Sequence, residues 1–251
     1  MIIDPAFYMP QLGRSRRIWL YLPVDYHETD KRYPVVYMHD GQNLFDSEEA
    51  FGEAWRVGEI MDSMKAGCIV VGIDNGNEKR MTEYNFHHHK RFGKGEGKQY
   101  VEFIVQTLKP YIDNTYRTLS GRNNTYTVGS SMGGLISFFA AVYYPGIFGG
   151  AGIFSPSFWL VPGLMDEVKK QVAKKGLDQR FYFYAGGREG QGMVENVVDI
   201  AELLNTSTYY RIHTVINPEG EHTEATWRTQ IPDFYHWMQH PGLMLAGELL
   251  W

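Results

Sequence analysis

Short apolar runs recur along the chain, and segments with apolar residues at helical spacing separate them. After an alternating segment at 16–26, the runs lie at 33–40, 68–74, 125–130, 150–156, 180–186 and 209–216. Strands that are buried on both faces of a sheet have this near-continuously apolar pattern, whereas alternation is typical of an antiparallel strand. The pattern therefore predicts one antiparallel strand followed by six strands of a parallel sheet.

The intervening segments predict helices, at about 53–65, 99–114, 132–144, 164–175, 194–204 and 224–239. Pro110 lies inside the second of these and predicts a kink or an end there. Strands that alternate with helices indicate an α/β domain with a mostly parallel sheet. Because the sequence contains no linker, repeat or low-complexity segment, we expect residues 1–251 to form a single domain.

Residues 75–98 form a long polar segment without a clear period. Long irregular segments inside compact domains tend to be functional loops or lids. Ligands of such sheets bind outside the carboxyl ends of the strands. We therefore expect the loops that follow the strands to meet around one site.

Composition narrows the function classes. The chain has 251 residues, 43% of them hydrophobic and 15% aromatic, which favours a folded globule, and its net charge of −5 gives no basic patch for nucleic acid or an anionic membrane. Cys68 is the one cysteine, so no disulfide framework is expected. No apolar stretch reaches the ~18 residues of a membrane span. The N-terminus lacks a signal-peptide pattern, so we expect a cytoplasmic protein, although a chain whose leader had been removed would look the same.

A serine occupies the corner between a predicted strand and an apolar helix. The sequence GSSMG (129–133) fits the G-x-S-x-G nucleophile elbow with Ser131 at its centre. The alternative is a turn that only requires small residues. Ser130 is a weaker candidate nucleophile, because its neighbours Val128 and Met132 are too bulky for the small-residue positions. The strand–turn–helix context favours Ser131 as nucleophile.

Four histidines follow Ser131 in the sequence and are candidates for its base. His213 lies within a predicted strand, and two others lie in or beyond the last helix, His236 and His240. His222 lies in a polar loop between the last strand and the last helix, at the carboxyl edge of the sheet. An exposed surface role is the alternative, but position and chain order favour His222 as the base.

The acid that orients this base is expected after the strand at 180–186. Glu189 is the only carboxylate in the loop GREGQG. The alternative is a solvated loop charge paired with Arg188. Asp199 and Glu202 are weaker candidates because they fall in the following helix.

An oxyanion hole requires two backbone donors. We expect one to be the N–H of Met132, directly after the nucleophile, and the other to be that of Gln42 in the loop HDGQNLFD. Gly41 lets this loop turn close to the site. His39 precedes Ser131, which is the wrong order for the base, so we expect it to support the loop.

Neither a metal nor a cofactor is predicted. The consecutive histidines 87–89 diverge in direction and cannot easily share one ion. The segment GKGEG (93–97) lacks the preceding strand of a phosphate loop. Aromatic residues flank the predicted site loops and are candidates to line a substrate cleft, with ordinary core packing as the alternative: Tyr84, Phe86, Phe92, Phe158, Trp159 and Trp227.

Several segments, taken in their order along the sequence, together resemble the putative esterase family. This family includes esterase D, enterochelin esterases and feruloyl or acetyl-xylan esterases. The segments are YPVVYMHDGQNLFD, IVVGIDNG, KPYIDNTYRT, VGSSMGG, SPSFW and EGEHTEATWR, and the resemblance runs over about 33–238. The resemblance implies an α/β-hydrolase fold, a mostly parallel central sheet with helices on both faces. It also implies Ser131 as nucleophile, His222 as base and the GGRE loop as source of the acid. Related esterases usually carry aspartate where this chain has Glu189, and some act with a Ser–His dyad.

The expected function is that of a serine carboxylesterase with a Ser131–His222–Glu189 triad. The resemblance implies a small-molecule or oligosaccharide ester as substrate, such as an acetylated or feruloylated carbohydrate. Siderophore esters and S-formylglutathione are alternatives within the same chemistry. An acyltransferase, or a non-catalytic binding protein on the same fold, would share these features, and the sequence leaves the oligomeric state open.

Overall fold

The computed structural model describes residues 2–45, 50, 52–190 and 192–240. Within them, eight strands form one sheet in the order β1-β2-β4-β3-β5-β6-β7-β8. The strands are β1 (Ile2–Met9), β2 (Arg14–Tyr21), β3 (Val35–His39), β4 (Ile69–Ile73), β5 (Thr125–Ser130), β6 (Gly150–Phe154), β7 (Gln179–Gly186) and β8 (Tyr210–Asn217).

Strands β3 to β8 pair in parallel, whereas β2 pairs antiparallel with both β1 and β4. The antiparallel strand and the six parallel strands were predicted, but the edge strand β1 was not. Its register shifts between Asp4 and Phe7. Pro5 lies within that shift, and proline is tolerated in strands mainly at sheet edges and bulges. Because Pro5 interrupts the strand pattern, β1 was not predicted from the sequence.

The helices are α1 (Val57–Ser63), α2 (Arg80–Glu83), α3 (Gly97–Phe103), α4 (Lys109–Thr115), α5 (Met132–Tyr143), α6 (Leu164–Val172), α7 (Met193–Asn205), α8 (Glu224–Arg228) and α9 (Ile231–Gln239). A π-helical turn at Ile104–Leu108 joins α3 to α4. Pro110 lies in the first turn of α4, directly after this π-helical turn, so of the predicted kink or end at this residue the end is not observed. The predicted last helix is divided into α8 and α9.

Side chains that alternate along the strands fill two hydrophobic layers. In β7, Phe181 and Phe183 belong to the layer covered by α3 to α7, whereas Tyr182 and Tyr184 belong to the layer beneath α1, α8 and α9. A fully buried side chain of this size contributes roughly 2–3 kcal/mol. Helices therefore cover both faces of a mostly parallel sheet, as the sequence predicts.

The polar segment 75–98 is packed against the body of the molecule. It contains a 3-10 turn at Asn77–Lys79 and helix α2. Glu83 within it is fully buried and accepts hydrogen bonds from Arg16 at 2.7 and 2.8 Å. Burial raises the pKa of the Glu83 carboxyl, against the opposing effect of Arg16 and Arg14. The segment is thus anchored by a buried ion pair, and it contributes side chains to the cleft described below.

Across the described residues, none of the helices has both the length and the apolar character needed to cross a membrane. The single-domain interpretation of residues 1–251 stays a prediction, and 241–251 lie outside the described part of the chain.

Candidate active site

The junction between β5 and α5 holds Ser131 in an unusual backbone conformation, with φ 56° and ψ −119°. A Cβ atom on Gly129 would lie 2.6 Å from the carbonyl carbon of Gly133, so the turn requires glycine there. The backbone conformation of Ser131 is strained, which costs about 1–3 kcal/mol and persists only where surrounding structure enforces it. Here the Ser131 amide donates a hydrogen bond to the Phe154 carbonyl at 2.9 Å. The chain therefore presents Ser131 at the amino end of α5, the geometry of a nucleophile elbow.

Ser131 and His222 line the same cleft, which has a volume of about 720 Å³. The Ser131 Oγ lies 3.3 Å from the Oγ of the buried Ser157. Among the described residues, this is the hydrogen bond that Ser131 Oγ makes, so its hydrogen bond to His222 is not formed in this structure. Catalytic hydrogen bonds often tighten only when substrate is bound.

His222 is held by Glu189. The His222 Nδ1 and the Glu189 Oε2 are 2.8 Å apart, and the Glu189 side chain is fully buried. The other carboxylate oxygen, Oε1, accepts hydrogen bonds from the Gly186 amide at 2.7 Å and the Ser155 hydroxyl at 2.6 Å. A carboxylate accepts and does not donate, so the proton of a neutral His222 lies on Nδ1 and leaves Nε2 to act as base.

The loops that carry these two residues are hydrogen-bonded to each other. The Arg188 amide donates to the Gly220 carbonyl at 2.9 Å, and the Gly187 amide donates to the Asn217 carbonyl at 2.8 Å. A Cβ atom on Gly186 would collide with the backbone of Gly220. Glycine at Gly186 thus lets the loop after β7 lie directly against the loop after β8.

The two predicted oxyanion donors belong to segments beside Ser131. Met132 is the first residue of α5, and Gln42 lies in a 3-10 turn at Gly41–Asn43 and lines the cleft. A Cβ atom on Gly41 would lie 2.8 Å from the Asp74 nitrogen, so only glycine lets this turn lie against the end of β4. The Gln42 side-chain oxygen accepts a hydrogen bond from the Asn75 amide at 3.0 Å. Their role as oxyanion donors stays a prediction.

A network of charged and amide groups forms the wall of the cleft at the end of β3. Asp40, with φ 57°, accepts hydrogen bonds from Arg80 Nε at 2.7 Å and Arg80 Nη2 at 2.9 Å, and from Asn75 Nδ2 at 2.7 Å. Burial would raise the pKa of the Asp40 carboxyl, but the Arg80 guanidinium and these hydrogen bonds hold it below its usual value. This wall was not predicted from the sequence.

Glu224 is a second cleft residue that was not predicted from the sequence. Its Oε1 accepts a hydrogen bond from Asn43 Nδ2 at 3.0 Å, and it lines the cleft with His222. Burial raises the pKa of the Glu224 carboxyl, and the nearby charge of Asp40 acts in the same direction. Its position two residues after the predicted base was the signal that could have found it.

His39 has the supporting position expected of it. It is buried, its Nδ1 lies 2.8 Å from the Tyr100 hydroxyl, and its Nε2 lies 3.1 Å from the Thr127 hydroxyl. Burial lowers the pKa of His39 to about 3. A neutral imidazole therefore fixes the end of β3, directly before Asp40.

The structure places four of the aromatic candidates for the substrate cleft in different surroundings. Trp227 lines the cleft, and its ring meets the His222 ring edge to face, with centroids 4.8 Å apart. Tyr84 is fully buried, with its hydroxyl 3.1 Å from the Asp40 amide that donates to it. Phe86 stacks on helix α5, and Trp159 is 66% exposed. The described cleft lining is therefore mainly polar, because most of the aromatic rings contribute to packing.

Among the described residues, no group of three or more His, Cys, Asp or Glu side chains is placed to hold a metal ion. Within the histidine run, His87 Nε2 lies 3.1 Å from Glu167 Oε2 on helix α6. This position ties the run to the surface of α6.

Comparisons with known proteins show the family to which the chain belongs. The family model described as Putative esterase matches residues 10–238. The Bacillus subtilis protein named Uncharacterized protein YbbA is 31% identical over 153 residues, which are 58% of this chain and 58% of YbbA. An endo-1,4-beta-xylanase/feruloyl esterase of Xylanibacter ruminicola is 23% identical over 233 residues, 89% of this chain but only 29% of that protein. The chain thus matches less than two thirds of the length of these relatives.

Solved structures share the fold. An IroE-like serine hydrolase from Shewanella oneidensis superimposes with a TM-score of 0.81 at 18% identity, over 96% of this chain and 81% of that one. The enterobactin esterase FES from Shigella flexneri, solved in the presence of enterobactin, gives a TM-score of 0.74 at 19% identity, over 96% and 58%. These similarities confirm the predicted α/β-hydrolase fold.

Proposed function

Because the chain belongs to the Putative esterase family, a family of carboxylic ester hydrolases, we propose that it is a serine carboxylesterase that acts through an acyl-enzyme on Ser131. The resemblance noted in the sequence had predicted this family, and the family is confirmed. The observation that carries the proposal is the 2.8 Å contact between His222 Nδ1 and the buried Glu189, beside a strained serine in the same cleft.

The proposed reaction begins when His222 Nε2 removes the proton of Ser131 Oγ, which attacks the ester carbonyl carbon. The Met132 and Gln42 amides stabilise the oxyanion, and each such donor is worth about 3–4 kcal/mol. The imidazolium then protonates the departing alcohol oxygen, and the C–O bond of the ester breaks. Water, deprotonated by His222, attacks the acyl-enzyme and releases the carboxylic acid and Ser131.

Glu189 supports both halves of this cycle without being protonated itself. It keeps the Nδ1 proton in place and stabilises the positive charge that forms twice on His222. A glutamate therefore performs the task that aspartate performs in most related esterases. The hydrogen bonds from Gly186 and Ser155 fix the longer side chain, so its added flexibility does not misdirect the carboxylate.

For the substrate we propose an ester of a hydroxyl-rich alcohol, such as an acetylated or feruloylated carbohydrate. The cleft is lined by carboxylate, amide and guanidinium groups, which hydrogen-bond hydroxyls. A relative named as a feruloyl esterase supports this choice. A siderophore ester is the second candidate, favoured by the structural similarity to an enterobactin esterase.

The proposal is tested by p-nitrophenyl acetate hydrolysis with wild type and Ser131→Ala, with Ser130→Ala as matched control. We expect Ser131→Ala to lose at least about 10³-fold in kcat and Ser130→Ala to stay near wild type. Full activity in Ser131→Ala would refute the mechanism.

A panel of acetylated sugars, feruloylated sugars and catecholate esters then tests the substrate. Sugar esters should have higher kcat/KM than catecholate esters or simple aryl acetates. Turnover of sugar esters no faster than that of aryl acetates would overturn the carbohydrate preference.

A further inference from the structure

Ser155 lies behind the proposed catalytic residues, with no exposed surface. Its hydroxyl donates a hydrogen bond to Glu189 Oε1 at 2.6 Å. The Ser155 hydroxyl oxygen in turn accepts a hydrogen bond from the indole Nε1 of Trp227 at 2.8 Å. One buried hydroxyl thus connects the acid of the triad with a residue from the helix that follows the base.

The chemistry of the three groups fixes the direction of both hydrogen bonds. An indole N–H can only donate, and an ionised carboxylate can only accept. The single hydroxyl proton of Ser155 must therefore point to Glu189, while the Ser155 oxygen receives the proton of Trp227. A backbone carbonyl could satisfy the indole equally well, but it could not pass a hydrogen bond on to the carboxylate.

The backbone at Ser155 supports a dedicated position. Its φ is 44°, in the left-handed region that non-glycine residues rarely occupy. Its amide donates to the Tyr184 carbonyl at 2.8 Å, which ties the end of β6 to the neighbouring strand β7. The fold thus holds Ser155 in a strained conformation that places its side chain beside the loop of Glu189.

The residues at the two ends of this hydrogen-bonded series both contact His222. Glu189 contacts its Nδ1, and the Trp227 ring meets the imidazole ring at 82° with a centroid distance of 4.8 Å. Both contacts lead back to Ser155. Movement of either partner would therefore disturb the orientation of the same imidazole.

We infer that Ser155 and Trp227 are positioning residues, which lock the Glu189 carboxylate and the His222 ring in the orientation that proton transfer requires. This inference rests on the proposed function and extends its triad by two residues. Ser155 acts through Glu189, and Trp227 acts both through Ser155 and directly on the imidazole ring.

The test is the kcat for p-nitrophenyl acetate of Ser155→Ala beside Ser137→Ala, an equally buried serine whose hydroxyl donates instead to the Gly133 carbonyl. We expect Ser155→Ala to lower kcat about 10- to 100-fold with KM within about 2-fold, since a misdirected catalytic group costs rate more than binding. Ser155→Cys, a weaker donor, should recover part of the loss. Equal kcat in the Ser155→Ala and Ser137→Ala variants would overturn the inference.

A double-mutant cycle separates positioning from general destabilisation. In a Glu189→Gln background, Ser155→Ala should reduce kcat by less than about 2-fold, because its target has already been altered. Fully additive losses would contradict the inference. Trp227→Phe keeps an aromatic ring, although a smaller one, and removes the indole donor. It should reduce kcat in the same direction by a smaller factor, and it carries the test if Ser155→Ala does not fold.

A proton NMR measurement needs no turnover and separates the two proposals. The His222 Nδ1 proton should give a low-field resonance in wild type that is displaced in Ser155→Ala but not in Ser137→Ala. If wild type hydrolyses no ester while this displacement is observed, the proposed function fails and the positioning role stands. If wild type is active and Ser131→Ala is not, an undisplaced resonance refutes the positioning role alone.

Discussion

Two buried carboxylates lie on opposite sides of Ser131 along the same sheet edge, and their partners differ in kind. Asp40, after β3, accepts hydrogen bonds from two guanidinium nitrogens of Arg80 and from the side-chain amide of Asn75. Glu189, after β7, is bound among the described residues by a hydroxyl, a backbone amide and the titratable ring of His222. One carboxylate is thus matched by a permanent cation, and the other is not.

From this difference we infer that only Glu189 suits the proposed catalysis. The charge of Asp40 is already neutralised by Arg80, so it has little left with which to stabilise a new cation. Glu189 has a fully buried side chain, where an ion pair is far stronger than in water. A proton that arrives on His222 creates its missing counter-charge. We therefore propose that Asp40 shapes the cleft, whereas Glu189 supports proton transfer.

The largest expected effect comes from Glu189→Gln. The amide can donate to Nδ1 and so favours the wrong tautomer of His222, and a change of this type in a serine protease lowers kcat about 10⁴-fold. The measurement is kcat for p-nitrophenyl acetate, together with the melting temperature. Glu219→Gln, at an exposed neighbour paired with Arg188, is the matched control and should leave kcat unchanged. A Glu189→Gln variant within 10-fold of wild type would favour a Ser–His dyad.

Asp40→Asn should instead affect stability. Asparagine tolerates the left-handed backbone at this position, but it leaves Arg80 without its counter-charge. Since the Arg80 side chain is 26% exposed, we expect a loss of about 3 kcal/mol, at the low end for a buried pair. Denaturant unfolding should show this loss. An unchanged unfolding free energy would mean that the pair contributes no net stability.

A pH effect should arise beside Asp40. The pKa of His39 is about 3 in the folded protein and about 6.5 when unfolded, so between these values the unfolded state binds more protons. Stability from this group is complete above about pH 6.5 and is lost as the pH falls toward 3. Asp40 also has a lowered pKa, so its contribution is lost in the same direction, below about pH 4.

From pH 7.5 to pH 5, His39 should account for roughly 2 kcal/mol of lost unfolding free energy. Denaturant unfolding at the two pH values measures this difference. His39→Gln should reduce it, whereas His88→Gln, at an exposed histidine, should preserve it. An equal pH dependence in wild type and His39→Gln would show that His39 is not held neutral.

Glu224→Gln should have the smallest effect, and of opposite sign to Asp40→Asn. Burial and the Asp40 charge disfavour the ionised form of Glu224, while its hydrogen bond from Asn43 can be kept by an amide oxygen. We expect the unfolding free energy at pH 7 to rise by up to about 1 kcal/mol. A loss above 1 kcal/mol would show that the charge is needed, for instance to balance Arg80.

Much of the fold could be predicted from the hydrophobic pattern, because buried parallel strands such as 35–39 and 69–73 consist mostly of apolar residues. β1 could not, because its proline and bulge interrupt the alternation. The division between α8 and α9 also escaped prediction, since the apolar residues on both sides keep a helical spacing.

The triad candidates could be proposed from the sequence because local sequence and chain order single them out: a glycine-flanked serine, one loop histidine and one loop carboxylate. Their catalytic roles stay predictions. The Asp40–Arg80 wall was not. Its partners are 40 residues apart, and Arg80 lies in the segment without a clear period. The aromatic residues that line the cleft could not be told from the sequence. Segments rich in aromatic residues look alike whether their rings face a cleft or, as with Tyr84, the core.

Active-site labelling with a fluorophosphonate, located by peptide mass spectrometry, tests the proposed nucleophile directly. We predict a single modified serine, Ser131. Its labelling rate should fall by orders of magnitude in His222→Asn and in Glu189→Gln, but not in Asp40→Asn measured where that variant is folded. Labelling at another serine, or a rate that Glu189→Gln leaves unchanged, would contradict this prediction.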